Sequence, residues 1–558
     1  MKNFSGLWIA VLFFLAANLA HAQGLCDQSV STKQGPVLGK QDKKSNVCVF
    51  KGIPYAQPPV KELRWRAPQA PIQRSQVLQA FEFGPSCLQN EDITSGGKSK
   101  SYSEDCLTLN IFRPAKPGVF PVMFWIHGGG YTQGAGSYEM YNGAPLAGTE
   151  DVVVVSINYR LGFFGFLALP DLAKEDPNHS TGNYGILDQV AALKWVSENI
   201  SNFGGDPKNV TIFGESAGGV SVCTLLATPL AAGLFQRGII ESGGCDLADA
   251  LEKGYEQGQS LAKALNCEGN DALSCLRQKP AKSLLLPSKD LITDAATHID
   301  HYVLLDQPVE VIKKGNFNRV PMIIGSNRDE FNLIMLLTPG GVFASRKTVE
   351  KNLERQLGPR AQDVLKLYSF DDYPRPAYLM GAAFTDGFGS RAFAAAEAMA
   401  PYTPVYLYRF DWDEERLGKI IGAFHGLEIP FVFGTLDVKN ANIHILLKPK
   451  AVASGRPLSK KMMKYWATFA KTGDPNSPGL EKWPAYKVDG RERIHFDNQV
   501  GASPITAKDI QRYQYFAGIS VDELMGRKSA KEGVEKFEGS GLITPARSSA
   551  KRPDNMKA

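Results

Sequence analysis

The stretch from Val210 to Leu226 constrains this 558-residue chain more than any other. A short strand-like run, Val210 to Phe213, passes with no spacer into Gly214-Glu215-Ser216-Ala217-Gly218, and small apolar residues continue at helical spacing to Leu226. A strand that turns at once into a helix holds the residue at the turn in a strained conformation with its side chain exposed. Gly214 and Gly218 carry no side chains to collide across so tight a turn. Such a unit belongs to a sheet whose strands alternate with helices, and the flanking sequence agrees. Pro121 to Ile126 (PVMFWI) and Val152 to Ile157 (VVVVSI) are near-continuous apolar runs, as in strands covered on both faces. Gln189 to Phe203 has apolar residues at helical spacing and stops at Gly204-Gly205. Val320 to Ile324 and Tyr406 to Asp411 read as later strands. The fold class is α/β, with a central, mostly parallel twisted sheet flanked by helices. Residues 245–315 are more helical and polar, as an insertion would be. With 43% hydrophobic residues the chain can bury one large core, and residues 23–525 are expected to form one domain with helical insertions.

Ser216 has the sequence context of a nucleophile. The helix that begins behind it directs free amide groups toward developing negative charge. His127-Gly128-Gly129-Gly130 follows the PVMFWI strand, and consecutive glycines let backbone N–H groups approach a carbonyl oxygen closely. The N–H groups of Gly129, Gly130 and Ala217 are therefore the candidate oxyanion hole, acting on charge that exists only in a tetrahedral intermediate.

With these motifs the chain resembles the type-B carboxylesterase and cholinesterase family of α/β-hydrolases, from about Gln34 to Phe516. The resemblance also rests on Phe50-Lys51-Gly52-Ile53-Pro54-Tyr55-Ala56, Glu104-Asp105-Cys106-Leu107, Asn158-Tyr159-Arg160-Leu161-Gly162 and Phe203-Gly204-Gly205-Asp206-Pro207. It implies the α/β-hydrolase fold and locates two partners for Ser216. Gly325-Ser326-Asn327-Arg328-Asp329-Glu330 makes Glu330 the acid, although Phe331 stands where the family usually has Gly. Asp329 is read as a supporting residue. Phe424-His425-Gly426-Leu427-Glu428 makes His425 the base. The order Ser216, Glu330, His425 is that of the α/β-hydrolases, whereas His179, His298, His301 and His444 lack a comparable setting and His495 sits in an alternating, strand-like RIHFD. The implied activity is hydrolysis of carboxylic esters through an acyl-enzyme, with no metal and no cofactor. His425 would take the serine proton while Glu330 fixes its tautomer, so activity should fall below about pH 6–7.

The remaining features bound the setting and the substrate. A net charge of +5 without basic runs interleaved with aromatics gives no footprint for nucleic acid. Lys2, the apolar run Leu7 to Leu19 and Ala20-His21-Ala22 read as a signal peptide, residues 1–22. A secreted or periplasmic protein with no stable membrane anchor is expected, its eight cysteines in an oxidising compartment. Residues 526–558 read as a disordered basic tail. The resemblance implies Cys87–Cys106 and Cys267–Cys275 disulfides, and structural ion pairs Arg64–Glu104 and Arg160–Asp188. Cys26–Cys48 is a further candidate pair, and Cys223 is read as a buried free thiol. Glu215 is a candidate for tuning the field around Ser216. In cholinesterases the loop between the first paired cysteines carries a tryptophan that binds the choline cation. Here Leu88 to Asp105 has only Tyr102 as an aromatic, which argues against choline esters. The expected substrates are short or medium acyl, aryl or polymeric esters, small-molecule or polymer. The alternatives are a lipase activated at interfaces and a non-catalytic adhesion relative.

Overall fold

The computed structural model describes residues 25–90, 97–285, 295–335, 340–438 and 442–524. The signal-peptide and tail segments expected at the two ends lie outside the described residues. Eleven strands form the main sheet: β1 (Lys40–Asp42), β2 (Val47–Pro54), β3 (Thr108–Pro114), β4 (Phe120–Ile126), β5 (Val153–Ile157), β6 (Gly205–Glu215), β7 (Arg237–Glu241), β8 (Met322–Asn327), β9 (Val405–Phe410), β10 (Glu492–Phe496) and β11 (Gly501–Pro504). Across the sheet they run β1-β2-β3-β5-β4-β6-β7-β8-β9-β10-β11. The pairings from β5 through β10 are parallel, and those at both edges are antiparallel. This is the α/β-hydrolase architecture, a large mixed sheet flanked by helices.

Both faces of the central strands are covered, which is why their sequences do not alternate. Val122, Phe124 and Ile126 enter one hydrophobic cluster while Met123 and Trp125 enter the other. One face receives α1 (Tyr184–Asn199) and α2 (Ala217–Ala227), the helix behind the Ser216 turn. The opposite face receives α4 (Pro449–Thr472) through Met462, Trp466 and Phe469. Between them in sequence, α3 (Ala377–Met399) joins the first cluster to a smaller one that includes Leu379 and Phe516. Last, α5 (Ala507–Ala517) follows the edge strand β11.

All eight cysteines are paired, as Cys26–Cys48, Cys87–Cys106, Cys223–Cys245 and Cys267–Cys275. The third pair corrects the expectation of a free thiol at Cys223. That cysteine is buried in α2 as expected, but the chain leaving β7 returns beside the helix and brings the Cys245 Cα to 5.1 Å. Both expected ion pairs form. Arg64 reaches Glu104 through two bonds of 2.7 Å, and Arg160 reaches Asp188 at 2.8 and 2.7 Å. Among the described residues no helix is long and apolar enough to cross a membrane.

Candidate active site

The end of β6 and the start of α2 are separated by Ser216 alone, at φ 56° and ψ −122°. That conformation is costly for a residue with a Cβ and is held here by packing on every side. The Ser216 N–H donates to the Glu241 carbonyl at 2.9 Å, locking the turn to the end of β7. A side chain at position 218 would collide with the Ile126 carbonyl of β4, so glycine is required for the close approach of helix and strand. Ser216 Oγ makes no hydrogen bond to a described residue.

The glycine loop after β4 lies against this turn. A Cβ at Gly128 would sit 3.0 Å from the Ser216 Cβ. Gly129 and Gly130 take φ values of 105° and 59°. Among the described residues, no acceptor takes the N–H groups of Gly129, Gly130 or Ala217. His127 is fully buried and stacks on Tyr159 with ring centroids 4.4 Å apart. Burial pushes its pKa down to about 4, so this imidazole is neutral at neutral pH.

His425 approaches from the chain that follows β9. Its Nδ1 lies 2.6 Å from Glu330 Oε2. Glu330 is fully buried, and its Oε1 accepts from the Asn327 N–H and the Ser242 hydroxyl, each at 2.7 Å. A carboxylate offers only lone pairs, so Nδ1 carries the proton and Nε2 is left for other partners. Glu330 and His425 thus meet beside the Ser216 turn, while no hydrogen bond joins His425 to Ser216. Such bonds are commonly long before substrate binds. Asp329 is bound elsewhere. It pairs with Arg328 Nε at 2.8 Å and accepts the Ala423 N–H at 3.0 Å, which anchors the chain leading to His425.

Sequence reasoning singled out this pair and Glu215 but missed two further buried carboxylates beside them, Glu241 and Glu428. Glu215 Oε1 lies 3.1 Å from His425 Nε2, close enough to form an ion pair whenever the imidazole is protonated. Burial, opposed by His425 and helped by Glu330, pushes Glu215 up to about pKa 7. Burial likewise lifts Glu241, which accepts from Trp466 Nε1 at 2.7 Å, to about 8. Glu428, bonded by Asn327 Nδ2, is raised well above its ordinary value by burial and by the neighbouring carboxylates. Burial alone would lower the His425 pKa. The Glu215 and Glu330 charges outweigh it and hold the imidazole above its ordinary value. Glu428 stands three residues after His425 in the motif that revealed the histidine, so its signal was on view. Ser242 and Glu241 carried none, because only the parallel pairing of β7 with its neighbours β6 and β8 brings them to the site.

Phe331, the departure from the family turn, also has a place. Its ring lies 5.8 Å from Phe388, which meets the His425 ring edge-on at 5.5 Å. An apolar wall therefore stands beside the imidazole.

Comparison with known proteins gives this geometry a setting. A family model described as "Carboxylesterase family" matches residues 26–512. A para-nitrobenzyl esterase of Bacillus subtilis (strain 168) is 40% identical over 491 residues, covering 85% of this chain and 95% of the relative. A liver carboxylesterase of Sus scrofa is 37% identical, covering 86% and 92%. Among solved structures, a PNB esterase superposes with a TM-score of 0.76 at 37% identity, covering 87% of this chain and 99% of that one. The chain belongs to the carboxylesterase family.

Proposed function

We propose that the protein hydrolyses carboxylic esters with Ser216 as nucleophile, His425 as general base and Glu330 as the acid that orients it. The observation that carries this reading is the 2.6 Å bond from His425 Nδ1 to buried Glu330, made beside a serine held at φ 56°. Ser216 Oγ attacks the ester carbonyl as its proton passes to His425 Nε2. The N–H groups of Gly129, Gly130 and Ala217 hold the oxyanion. His425 then protonates the leaving alcohol and later activates water, which releases the acid from Ser216. The chemistry needs no metal or cofactor. The substrates are short or medium acyl, aryl or polymeric esters. One relative is named a para-nitrobenzyl esterase, which supports small esters that carry an aromatic ring on the alcohol side. We place the protein outside the cytoplasm, exported by residues 1–22 and acting as one catalytic domain over residues 23–525. Four disulfides support that compartment.

The test is Ser216→Ala, assayed on nitrophenyl esters and labelled with an organophosphonate fluorophore. Turnover is expected to fall at least about a thousandfold, with the label lost. Wild-type turnover in the variant would overturn the assignment. Comparing short and long nitrophenyl esters below and above the micelle threshold then separates esterase from lipase behaviour.

A further inference from the structure

Away from Ser216, near the far edge of the sheet, three side chains repeat the order acid, imidazole, hydroxyl. His495 lies on β10, with Nδ1 2.9 Å from Asp411 Oδ2 and Nε2 3.0 Å from Ser503 Oγ on β11. The ionised Asp411 carboxylate can only accept, so Nδ1 carries the proton and the Nε2 lone pair faces the serine hydroxyl. That is the tautomer a general base requires.

Each member is fixed by groups outside the trio. Arg409 grips Asp411 through Nε at 2.6 Å and Nη2 at 3.0 Å, and the Asp411 N–H donates to the Phe496 carbonyl of β10 at 2.8 Å. Gly501 is registered opposite His495, which puts Ser503, two residues on, on the same face as the imidazole. Pro504 confines Ser503 to extended backbone, in keeping with its place on the strand. The site is also reachable. β11 is the last strand of the sheet, Ser503 is half-buried, and the His495 side chain is 21% exposed against 30% for His425.

We propose that Ser503 is a second nucleophile of this chain, acylated by activated esters with His495 as base and Asp411 as its orienting acid. In the step, Oγ bonds to the acyl carbon as its proton moves to His495 Nε2. The carbon–oxygen bond to the leaving group breaks, the alcoholate departs with the electron pair, and His495 returns the proton to solvent. Arg409 shares the Asp411 carboxylate with His495 and takes up part of its charge. The donors are therefore those with good leaving groups, such as aryl esters. The proposal stands independently of the role given to Ser216.

The experiment uses the full chain carrying Ser216→Ala, pulsed with p-nitrophenyl acetate and mapped by peptide mass spectrometry. Ser503 should gain one acetyl group at least about tenfold faster than exposed Ser75 in the same sample. His495→Gln should bring Ser503 down to the Ser75 rate, and Ser503→Ala should remove the label from that peptide. Labelling of Ser503 no faster than Ser75, or unchanged labelling in His495→Gln, overturns the proposal. Should His495→Gln fail to fold, the ratio of Ser503 to Ser75 in the Ser216→Ala chain still decides.

Discussion

Glu215 precedes Ser216 by one residue, so the turn that exposes the serine also fixes where this carboxylate points. It lies 3.1 Å from His425 Nε2, the nitrogen assigned to receive the serine proton, while Glu330 holds Nδ1. A general base works as the neutral imidazole, so activity is present above the His425 pKa and lost below it. Two flanking carboxylates raise that pKa against the opposing effect of burial, Glu215 through its charge and Glu330 through its charge and its hydrogen bond. The acid limb of kcat/KM should therefore lie above the value of about 6.5 for an isolated imidazole. Because the Glu215 pKa is itself raised to about 7, the limb belongs to the pair and not to His425 alone. Glu215→Gln removes one charge and should move the limb down by about one pH unit or more. A pH series on a nitrophenyl ester reads this directly. An unmoved limb would mean that the imidazole does not feel Glu215. At this scale the sequence exposed every residue inside a contiguous motif: Ser216, Glu330, His425 and the glycines. It concealed Ser242, whose hydroxyl reaches Glu330 only because β7 and β8 are neighbours.

Among the elements, α2 depends most on what surrounds it. The helix has eleven residues, all buried, and three are glycine or β-branched within its first four positions, so packing and not propensity holds it. The Cys223–Cys245 bond ties it to the chain leaving β7, whose end also accepts the Ser216 N–H. Closing a loop with a sequence separation of 22 is worth about 3 kcal/mol in the chain-entropy account. Replacing both cysteines by alanine should lower unfolding stability by about that amount in urea without reductant. An unchanged midpoint would show that the helix needs no such tie. The pairing was illegible because eight cysteines permit many connectivities and sequence distance says nothing of spatial return. Strand interiors were easier to read than ends: β6 extends from Gly205 to Glu215 where only Val210 to Phe213 is plainly strand-like. The long helix α4 carries Pro457 inside it, which masks its periodicity, and its burial on the sheet sustains it regardless.

For the whole molecule, α/β alternation announced a largely parallel sheet, but not the exchange of β4 and β5 in strand order. That exchange seats β4, with its glycine loop, directly beside β6 and its serine. The segment after β5 then braces the loop, through the Tyr159 hydroxyl on the His127 carbonyl at 2.8 Å and the Gly162 N–H on the Tyr131 carbonyl at 2.7 Å. Arg160 anchors this brace to α1. Its guanidinium meets Asp188 twice, and its own N–H donates to the same carboxylate at 3.0 Å. Both side chains are almost wholly buried, at 3% and 0% exposure, so neither charge finds solvent once the other is removed. Breaking such a pair from one side typically costs about 3–5 kcal/mol, most of it from the stranded charge. Arg160→Met and Asp188→Leu should each destabilise the fold by roughly that amount. The double variant strands no charge, so it should cost less than either single change alone. Urea unfolding of the four proteins measures the cycle, and a double-variant loss equal to the sum of the two would mean that the charges are not coupled.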